Sequence, residues 1–192
     1  HADYFSITDT YDPLSNRRAF YDTSWLLPPA MLEAYVERWP TPDLGTFRYM
    51  LRSGMMGWFS LMLDTTSWNS EQHAAAKEAI ALYKEKLRPL IRDADLYHVS
   101  PRPDGAHWDA MQYFDRYRRR GVLFAFRGST MTEMSHPFVL QGLRQNANYH
   151  LTFHDHSSPD RSVRGAELMT TGLIISLPQP NWSELVFIDE VE

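Results

Sequence analysis

The spacing of apolar side chains changes near residue 95, and this change constrains the fold more than any other feature of the sequence. Before it, apolar residues recur at helical spacing between short apolar runs, as in α/β proteins. After it the period is two, and polar turns follow at intervals of roughly 8–12 residues, which is typical of an antiparallel sandwich. The strands predicted for this second part are residues 108–115, 121–127, 138–143, 149–155, 166–170, 173–177 and 185–189.

The first part of the chain predicts helices separated by short strands. Its clearest element is a helix over residues 70–92, because Asn69 is a good N-cap residue and Gln72 can return a reciprocal hydrogen bond. Pro89 is expected to kink the last turn of this helix. The near-continuous apolar run 58–64 predicts a strand buried on both faces. The other predicted elements are a strand at 4–8, a helix near Arg17, a short helix at 31–39 and a helix at 48–56.

Composition excludes several classes of protein. At ~100–200 residues per domain, 192 residues make one large domain or two small ones. A net charge of −5 argues against nucleic-acid binding, and 14% aromatic residues argue against disorder. No apolar run reaches the ~18–20 residues of a membrane span, and the absence of cysteine excludes disulfides and thiolate metal sites. No signal-peptide pattern opens the chain, and we expect a cytoplasmic protein without cofactor or metal.

Two carboxylates follow the first predicted strand at the point where it ends. Asp9 and Asp12 lie three residues apart, and barrel enzymes build their active sites at this end of their strands. A carboxyl group there, beside Tyr11, could act as a general acid. The alternative is that both residues are turn and cap residues, since aspartate is common before helices.

Three other clusters favour structural over chemical roles. His150, His154 and His156 would share one face of a strand with Asp155 opposite, and a solvated strand end is a better interpretation than a metal site. The basic run 116–120 predicts a solvated hairpin tip. The segment 53–57 lacks the spacing of a phosphate-binding loop, so its glycines are expected to permit close approach of a helix and a strand.

A series of motifs runs through nearly the whole chain in a fixed order. In that order they resemble the C-terminal part of glycoside hydrolase family 36, the α-galactosidase-like enzymes. The family's Ser-Asp-x-Thr-Asp-Ala/Pro motif, near its sixth barrel strand, is similar to residues 8–13 here. The motifs are Thr8-Asp9-Thr10-Tyr11-Asp12-Pro13, Ser24-Trp25-Leu26-Leu27-Pro28-Pro29, Arg52-Ser53-Gly54-Met55-Met56-Gly57, Leu61-Met62-Leu63-Asp64, Ala81-Leu82-Tyr83-Lys84, Trp108-Asp109-Ala110-Met111-Gln112-Tyr113, Val122-Leu123-Phe124-Ala125-Phe126-Arg127 and Gly165-Ala166-Glu167-Leu168-Met169.

The resemblance implies a fold and a reaction. It implies that residues 1–95 are the last strands and helices of a (β/α)₈ catalytic barrel and that residues 96–192 are a C-terminal antiparallel β-sandwich domain. It implies a retaining hydrolase acting on α-galactosides, with Asp9 as the acid/base carboxylate and Asp12 and Trp25 as substrate-binding residues. Nothing in the chain resembles the family's nucleophile motif. The expected partners are an oligosaccharide or galactoside substrate and the remainder of the barrel or another subunit, in an oligomer, without nucleic acid or membrane.

The sequence also departs from the family pattern. The motif serine is Thr8, a following family arginine aligns with Asn16, and the Gly-Ala-His-Val pattern is Glu33-Ala34-Tyr35-Val36. These changes leave the substrate open. Two other interpretations also remain: a non-catalytic β-sandwich module, carbohydrate-binding or for assembly, with a helical N-terminal segment, and a domain that completes an assembly with another chain.

Overall fold

A computed structural model describes residues 3–10 and 12–191, and the chain divides into two compact units. The first unit extends to Arg92 and includes Arg102–Asp104. The second comprises Asp93–Pro101 and the chain from Gly105 onward. No helix within the described ranges is long and apolar enough to cross a membrane. The mixed helix-and-sheet class expected from the sequence is confirmed.

The first unit alternates strands and helices around a parallel sheet. Among the residues described, this sheet has three strands in the order β1-β2-β3, so β1 and β3 form its edges. The connections through α1 and α2 return the chain to the same end of the sheet each time, as parallel pairing requires. The elements are β1 (Phe5–Ser6), α1 (Pro13–Thr23), β2 (Leu32–Val36), α2 (Leu44–Ser53), β3 (Trp58–Leu61), α3 (Ser70–Leu82), a π-helical segment (Tyr83–Leu87) and α4 (Arg88–Asp93).

The short helix predicted at residues 31–39 is wrong, because this segment contains the central strand β2. Leu32, Ala34 and Val36 are buried, while the side chains between them are only partly buried. This is a period of two, and pairing with β1 and β3 on both sides outweighs the helical preference of the local residues. Because a strand is stabilised by pairing with segments that are distant in sequence, its local residue preferences indicate it only weakly.

Helices lie at both predicted places, but α2 covers 44–53 rather than 48–56, and the helix predicted over 70–92 is divided into α3, the π-helical segment and α4. Asn69 accepts a hydrogen bond from the backbone N–H of Gln72, and the Gln72 side chain accepts one from the Asn69 N–H. The π-helical segment ends two residues before Pro89, whose missing N–H removes a regular helical hydrogen bond. A Cβ added to Gly54 would collide with Val36, so this glycine does permit close approach of α2 and β2.

The strand predicted at residues 58–64 forms, but it is shorter and less buried than expected. β3 ends at Leu61, and Trp58 is 44% exposed. A strand buried on both faces needs neighbours and covering layers on every side, and β3 has β2 as its one strand neighbour within the described residues. Among the described residues, no strand therefore pairs with the outer edge of β3.

The second unit is built from antiparallel sheets. In the described part of the chain, six strands lie in the order β4-β5-β6-β11-β8-β9, and β10 pairs with β7 in a separate ladder. The core contains side chains from both ladders, including Leu123 and Val186 from the larger one and Phe138 and Ile175 from the smaller one. The strands are β4 (Asp95–His98), β5 (Asp109–Asp115), β6 (Arg120–Phe126), β7 (Ser135–Phe138), β8 (Asn148–Phe153), β9 (Arg161–Arg164), β10 (Leu173–Ser176) and β11 (Ser183–Val191).

Two strand predictions in this unit are wrong. Residues 166–170 lie in a short helix, α5 (Gly165–Thr170), whose alanine, glutamate, leucine and methionine all favour a helix. The strand predicted at 138–143 lies earlier in the chain, since β7 covers Ser135–Phe138 and shares only Phe138 with the predicted range. Gly142 beyond it has a φ of +73°, which no regular strand accommodates.

The basic run 116–120 forms the β5–β6 hairpin tip, and several of its arginines are ion-paired. Arg116 contacts Asp95, and Arg118 contacts both Asp93 and the buried Asp115 at 2.9 and 2.8 Å. Arg119 lies 3.5 Å from Glu190, a carboxylate that also accepts hydrogen bonds from Arg144 and Tyr149. These contacts hold the hairpin tip to Asp93 and to residues of β4 and β11.

Glu190 should make the stability of the second unit depend on acid pH. Burial raises the pKa of Glu190, but hydrogen bonds from Arg144 and Tyr149 and the charges of Arg144 and Arg119 lower it by more. A carboxyl pKa below its unfolded value of about 4.5 contributes stability above that pH, and this is lost as pH falls through the folded-state pKa. We expect Glu190→Gln to lower the melting temperature at neutral pH, with the two melting curves converging in acid. A difference that stays constant with pH would contradict this assignment.

Candidate active site

Carboxylate and other polar side chains follow the strands at the carboxyl end of the parallel sheet. β1, β2 and β3 run in the same direction, so the residues that follow them leave at one edge. The ladder continues past β1, where the N–H of Ile7 donates to Glu33 O (3.1 Å), and past β3, where the N–H of Met62 donates to Val36 O (2.9 Å). β1 ends at Ser6, three residues before Asp9, and β2 ends at Val36. Asp9 therefore lies at the same edge as the residues after β2.

Asp9 is exposed on a short turn that follows β1. The hydroxyls of Thr8 and Thr10 are hydrogen-bonded to each other at 2.6 Å, and the N–H of Thr10 donates to Thr8 Oγ1 at 3.3 Å. These bonds fold the backbone around Asp9 and leave its carboxyl group facing solvent. Tyr11, which the sequence suggested as its aromatic neighbour, lies outside the described residues.

Asp12 is the N-cap of α1. Its Oδ1 accepts a hydrogen bond from the backbone N–H of Ser15 (2.8 Å), and its Oδ2 accepts one from the Ser15 hydroxyl (2.6 Å). Asp12 therefore has the helix-capping role that the sequence offered as the alternative to a catalytic one. Each carboxylate oxygen keeps a further lone pair, so the cap leaves Asp12 able to accept from a ligand.

Trp25 lies at the other end of α1 from Asp12. The helix has 11 residues, which at 1.5 Å per residue is about 16 Å. The indole is 65% exposed, and the ring of Tyr21 packs against it edge-on with centroids 6.2 Å apart. Asp9 and Asp12 thus both lie in the segment between β1 and α1, whereas Trp25 lies beyond the other end of α1.

A buried arginine fixes α1 against α2, and with it the turn that carries Asp9. Arg17 is fully buried, and its guanidinium donates to the hydroxyls of Tyr49 (2.8 Å) and Ser53 (2.9 Å). The same group lies 4.7 Å from the centre of the Tyr49 ring. A buried cation is stable only with such partners, so these contacts define one position for α1.

Asp64 supplies a second oriented carboxylate three residues after β3. Its Oδ1 accepts from the hydroxyl of Thr66 (2.7 Å) and from the Thr66 N–H (2.9 Å). These two hydrogen bonds, and then the charge of Arg38, lower the pKa of Asp64. Arg38 follows β2, so the loops after β2 and β3 carry opposite charges at this edge.

Sequence reasoning missed Glu37, which follows β2 directly and exposes 9% of its surface. The alternation of Glu33, Tyr35 and Glu37 with buried apolar residues places these three on one face of the strand. This period-two pattern is visible in the sequence and could have revealed Glu37. Interpretation of residues 31–39 as a helix concealed it.

The other clusters considered in the sequence form no comparable site. β8 ends at Phe153, and His156 has a φ of +56°, so His154 and His156 do not continue the face of His150 along a strand. Within residues 3–10 and 12–191, no group of three or more His, Cys, Asp or Glu side chains could hold a metal ion.

Comparison with known proteins gives a consistent set of similarities. Residues 108–188 match the family model described as the glycosyl hydrolase family 36 C-terminal domain. A probable alpha-galactosidase G of Aspergillus terreus is 32% identical over 173 residues, which is 88% of this chain and 23% of that protein. The protein of the same name from Emericella nidulans is 30% identical over 175 residues, with the same coverage. The chain thus spans about a quarter of the length of these relatives.

Solved structures share the fold. The galactosidase domain of the alpha-galactosidase-sucrose kinase AgaSK superposes with a TM-score of 0.83 at 21% identity, over 96% of this chain and 25% of that one. The alpha-galactosidase AgaA of Geobacillus stearothermophilus, in a structure with stachyose, gives 0.80 at 22% identity, with the same coverage. At these identities the similarity concerns the fold alone.

Proposed function

Because the chain belongs to glycoside hydrolase family 36, as a C-terminal part of its alpha-galactosidase-like proteins, we propose that it forms part of a retaining hydrolase of α-galactosides. In this proposal Asp9 is the acid/base carboxylate. The position of Asp9, exposed at the carboxyl edge of the parallel sheet, is the observation that carries it. The nucleophile belongs to a part of the longer protein outside this chain.

The proposed reaction proceeds in two displacements. A carboxylate from outside the chain attacks the anomeric carbon, while the protonated Asp9 transfers its proton to the departing glycosidic oxygen. Asp9, now ionised, then removes a proton from a water molecule that displaces the sugar from the covalent intermediate. The two carboxyl groups need a separation of ~5–5.5 Å for this sequence. An exposed carboxylate on a short ordered turn can exchange protons in both steps.

We propose that the parallel sheet of this chain is completed by further strands of the longer protein into a (β/α)₈ barrel. The outer edge of β3, which pairs with no strand among the described residues, and a cavity of about 750 Å³ beside it support this. The hydroxyl of Tyr83 donates to Gly57 O (2.8 Å) and accepts from the Phe59 N–H (3.3 Å), backbone groups at the start of β3. The cavity is lined by aromatic and basic side chains, including Trp58, Phe59, Tyr83, Lys84, Arg88 and Arg92. An apolar strand with acidic flanks would suit this surface.

The two predicted substrate-binding residues receive different roles. Asp12 remains a proposed sugar contact because it shares the edge with Asp9. Trp25 lies at the far end of α1, so we assign its exposed indole, with the 84%-exposed Leu26, to contact with the remaining protein or another subunit. A cytoplasmic oligomer is the proposed setting, since large apolar side chains at the surface are commonly covered in an assembly.

The experiment that tests the function compares the longer protein with this chain alone. We expect the longer protein to hydrolyse p-nitrophenyl α-galactoside and the chain of 192 residues to show no turnover, because one carboxylate cannot carry out both displacements. The first-formed galactose should have the α configuration by NMR. The β-anomer of the substrate is the matched control and should not be hydrolysed.

Each outcome decides a different part of the proposal. Absence of turnover by the longer protein would overturn the assigned activity. First-formed β-galactose would overturn the retaining mechanism. Turnover by the chain alone would overturn the placement of the nucleophile outside it.

A further inference from the structure

Glu37 is a nearly buried carboxylate for which the described part of the chain supplies no donor. It exposes 9% of its surface, and no hydrogen bond or ion pair among residues 3–10 and 12–191 reaches its side chain. Glu33, two residues earlier in β2, accepts a hydrogen bond of 2.6 Å from the Ser60 hydroxyl. Its carboxylate oxygens are not among the buried atoms that lack a partner, so they reach the surface and can accept from a donor outside the described residues.

A second unpaired acceptor lies at the same strand end. Asn16 of α1 is 3% exposed, and its amide N–H donates to the carbonyl oxygen of Tyr35, two residues before Glu37. The Oδ1 of Asn16 is buried and has no partner in the described part of the chain. Because this oxygen is fully buried, a ligand does not reach it, and Glu37 is the acceptor at this strand end that stays open to one.

The chemistry of the Glu37 carboxylate favours a hydroxyl group as its ligand. A cation would need more carboxylate or imidazole ligands, and the described residues offer no group of three. The hydroxyls of a neutral sugar donate hydrogen bonds without adding charge, and a carboxylate is a strong acceptor for them. Glu37 and Asp9 leave adjacent strands at one edge, so a sugar that reaches Asp9 also reaches this place.

We infer that Glu37 is a specificity-determining residue that accepts a hydrogen bond from a ring hydroxyl of the galactoside. The inference rests on the proposed function and adds to it a residue that selects the sugar. A site built to bind a hydroxyl discriminates strongly against an analogue that lacks it.

Monodeoxy substrates test this directly in the longer protein. Glu37→Ala should lower kcat/KM for p-nitrophenyl α-galactoside by about 10- to 100-fold, as expected for a hydrogen bond to a charged group. For the monodeoxy analogue that lacks the contacted hydroxyl, the variant and the wild type should differ little. The other monodeoxy analogues should retain the full loss. Glu37→Gln keeps one acceptor oxygen, should lose less, and serves if the alanine variant does not fold.

Glu33→Gln is the matched control, because Glu33 shares the strand and face and already has Ser60 as a partner. It should leave the pattern over the deoxy series unchanged. An equal loss with every analogue, or no loss, would overturn the assignment of Glu37. If the wild type hydrolysed no α-galactoside, only the proposed function would fail, and calorimetry with galactose would decide on Glu37: equal Kd values for wild type and Glu37→Gln would overturn it.

Discussion

Replacing Asp9 with asparagine in the longer protein should slow hydrolysis of an unactivated α-galactoside oligosaccharide by about 10²–10⁴-fold. Asparagine cannot protonate the departing oxygen, and it cannot remove a proton from water in the second step. With p-nitrophenyl α-galactoside the first step needs little proton transfer, because the phenolate leaves readily. The second step then limits the rate, so kcat and KM should fall together while the covalent intermediate accumulates.

A small anionic nucleophile separates this role from a merely structural one. Azide needs no general base, so it should restore turnover of the aryl substrate by Asp9→Asn and yield a galactosyl azide of retained configuration. Asp12→Asn is the matched control, because it also replaces aspartate with asparagine. Asparagine is a good N-cap residue, so α1 should remain intact. The activity of this variant should fall less and should not respond to azide. Unchanged turnover of both substrate types by Asp9→Asn would rule out the acid/base role.

The location of Asp9 could be predicted from the sequence, whereas that of Glu37 was missed. A strand followed by a turn with two carboxylates is a local pattern, and parallel pairing then decides at which edge the turn lies. Glu37 depends on β2, whose identity as a strand comes from β1 on one side and β3 on the other. The helix-favouring residues of the segment obscured its period of two. An error in one element thus removed a candidate residue from the site.

Local signals succeeded where both partners of an interaction are close in sequence. Asn69 and Gln72 form the expected capping box because they are three residues apart. The helix α5 was missed because it has only six residues and lies among strands, where a period of two was expected. The ion pairs of Glu190 join residues up to 71 positions apart, and no pattern of residue spacing in the sequence predicts such pairs.

The Glu184→Ala variant should destabilise the second unit more than other single changes outside its apolar core. Glu184 is fully buried, and its Oε1 accepts hydrogen bonds from the backbone N–H groups of Asp155 and Leu185, both at 2.9 Å. Its Oε2 accepts one from the Ser157 N–H at 3.1 Å. Alanine would remove the carboxylate acceptor that these three donors share. At ~1–3 kcal/mol for each buried donor, and with water reaching the two partly buried ones, the expected loss is about 2–4 kcal/mol.

This loss corresponds to a fall of roughly 10–20 °C in the melting temperature of a unit of this size, measurable by calorimetry. Glu184→Gln should lose less, because its remaining oxygen can serve Asp155 and Leu185 while its amide group opposes the Ser157 N–H. Glu167→Ala, at an exposed position of α5, is the control and should change stability by less than about 0.5 kcal/mol. Hydrogen exchange gives the local readout, since the amides of Asp155, Ser157 and Leu185 should lose protection in Glu184→Ala. Wild-type protection at these amides would show that the loop is held by other contacts than the Glu184 carboxylate.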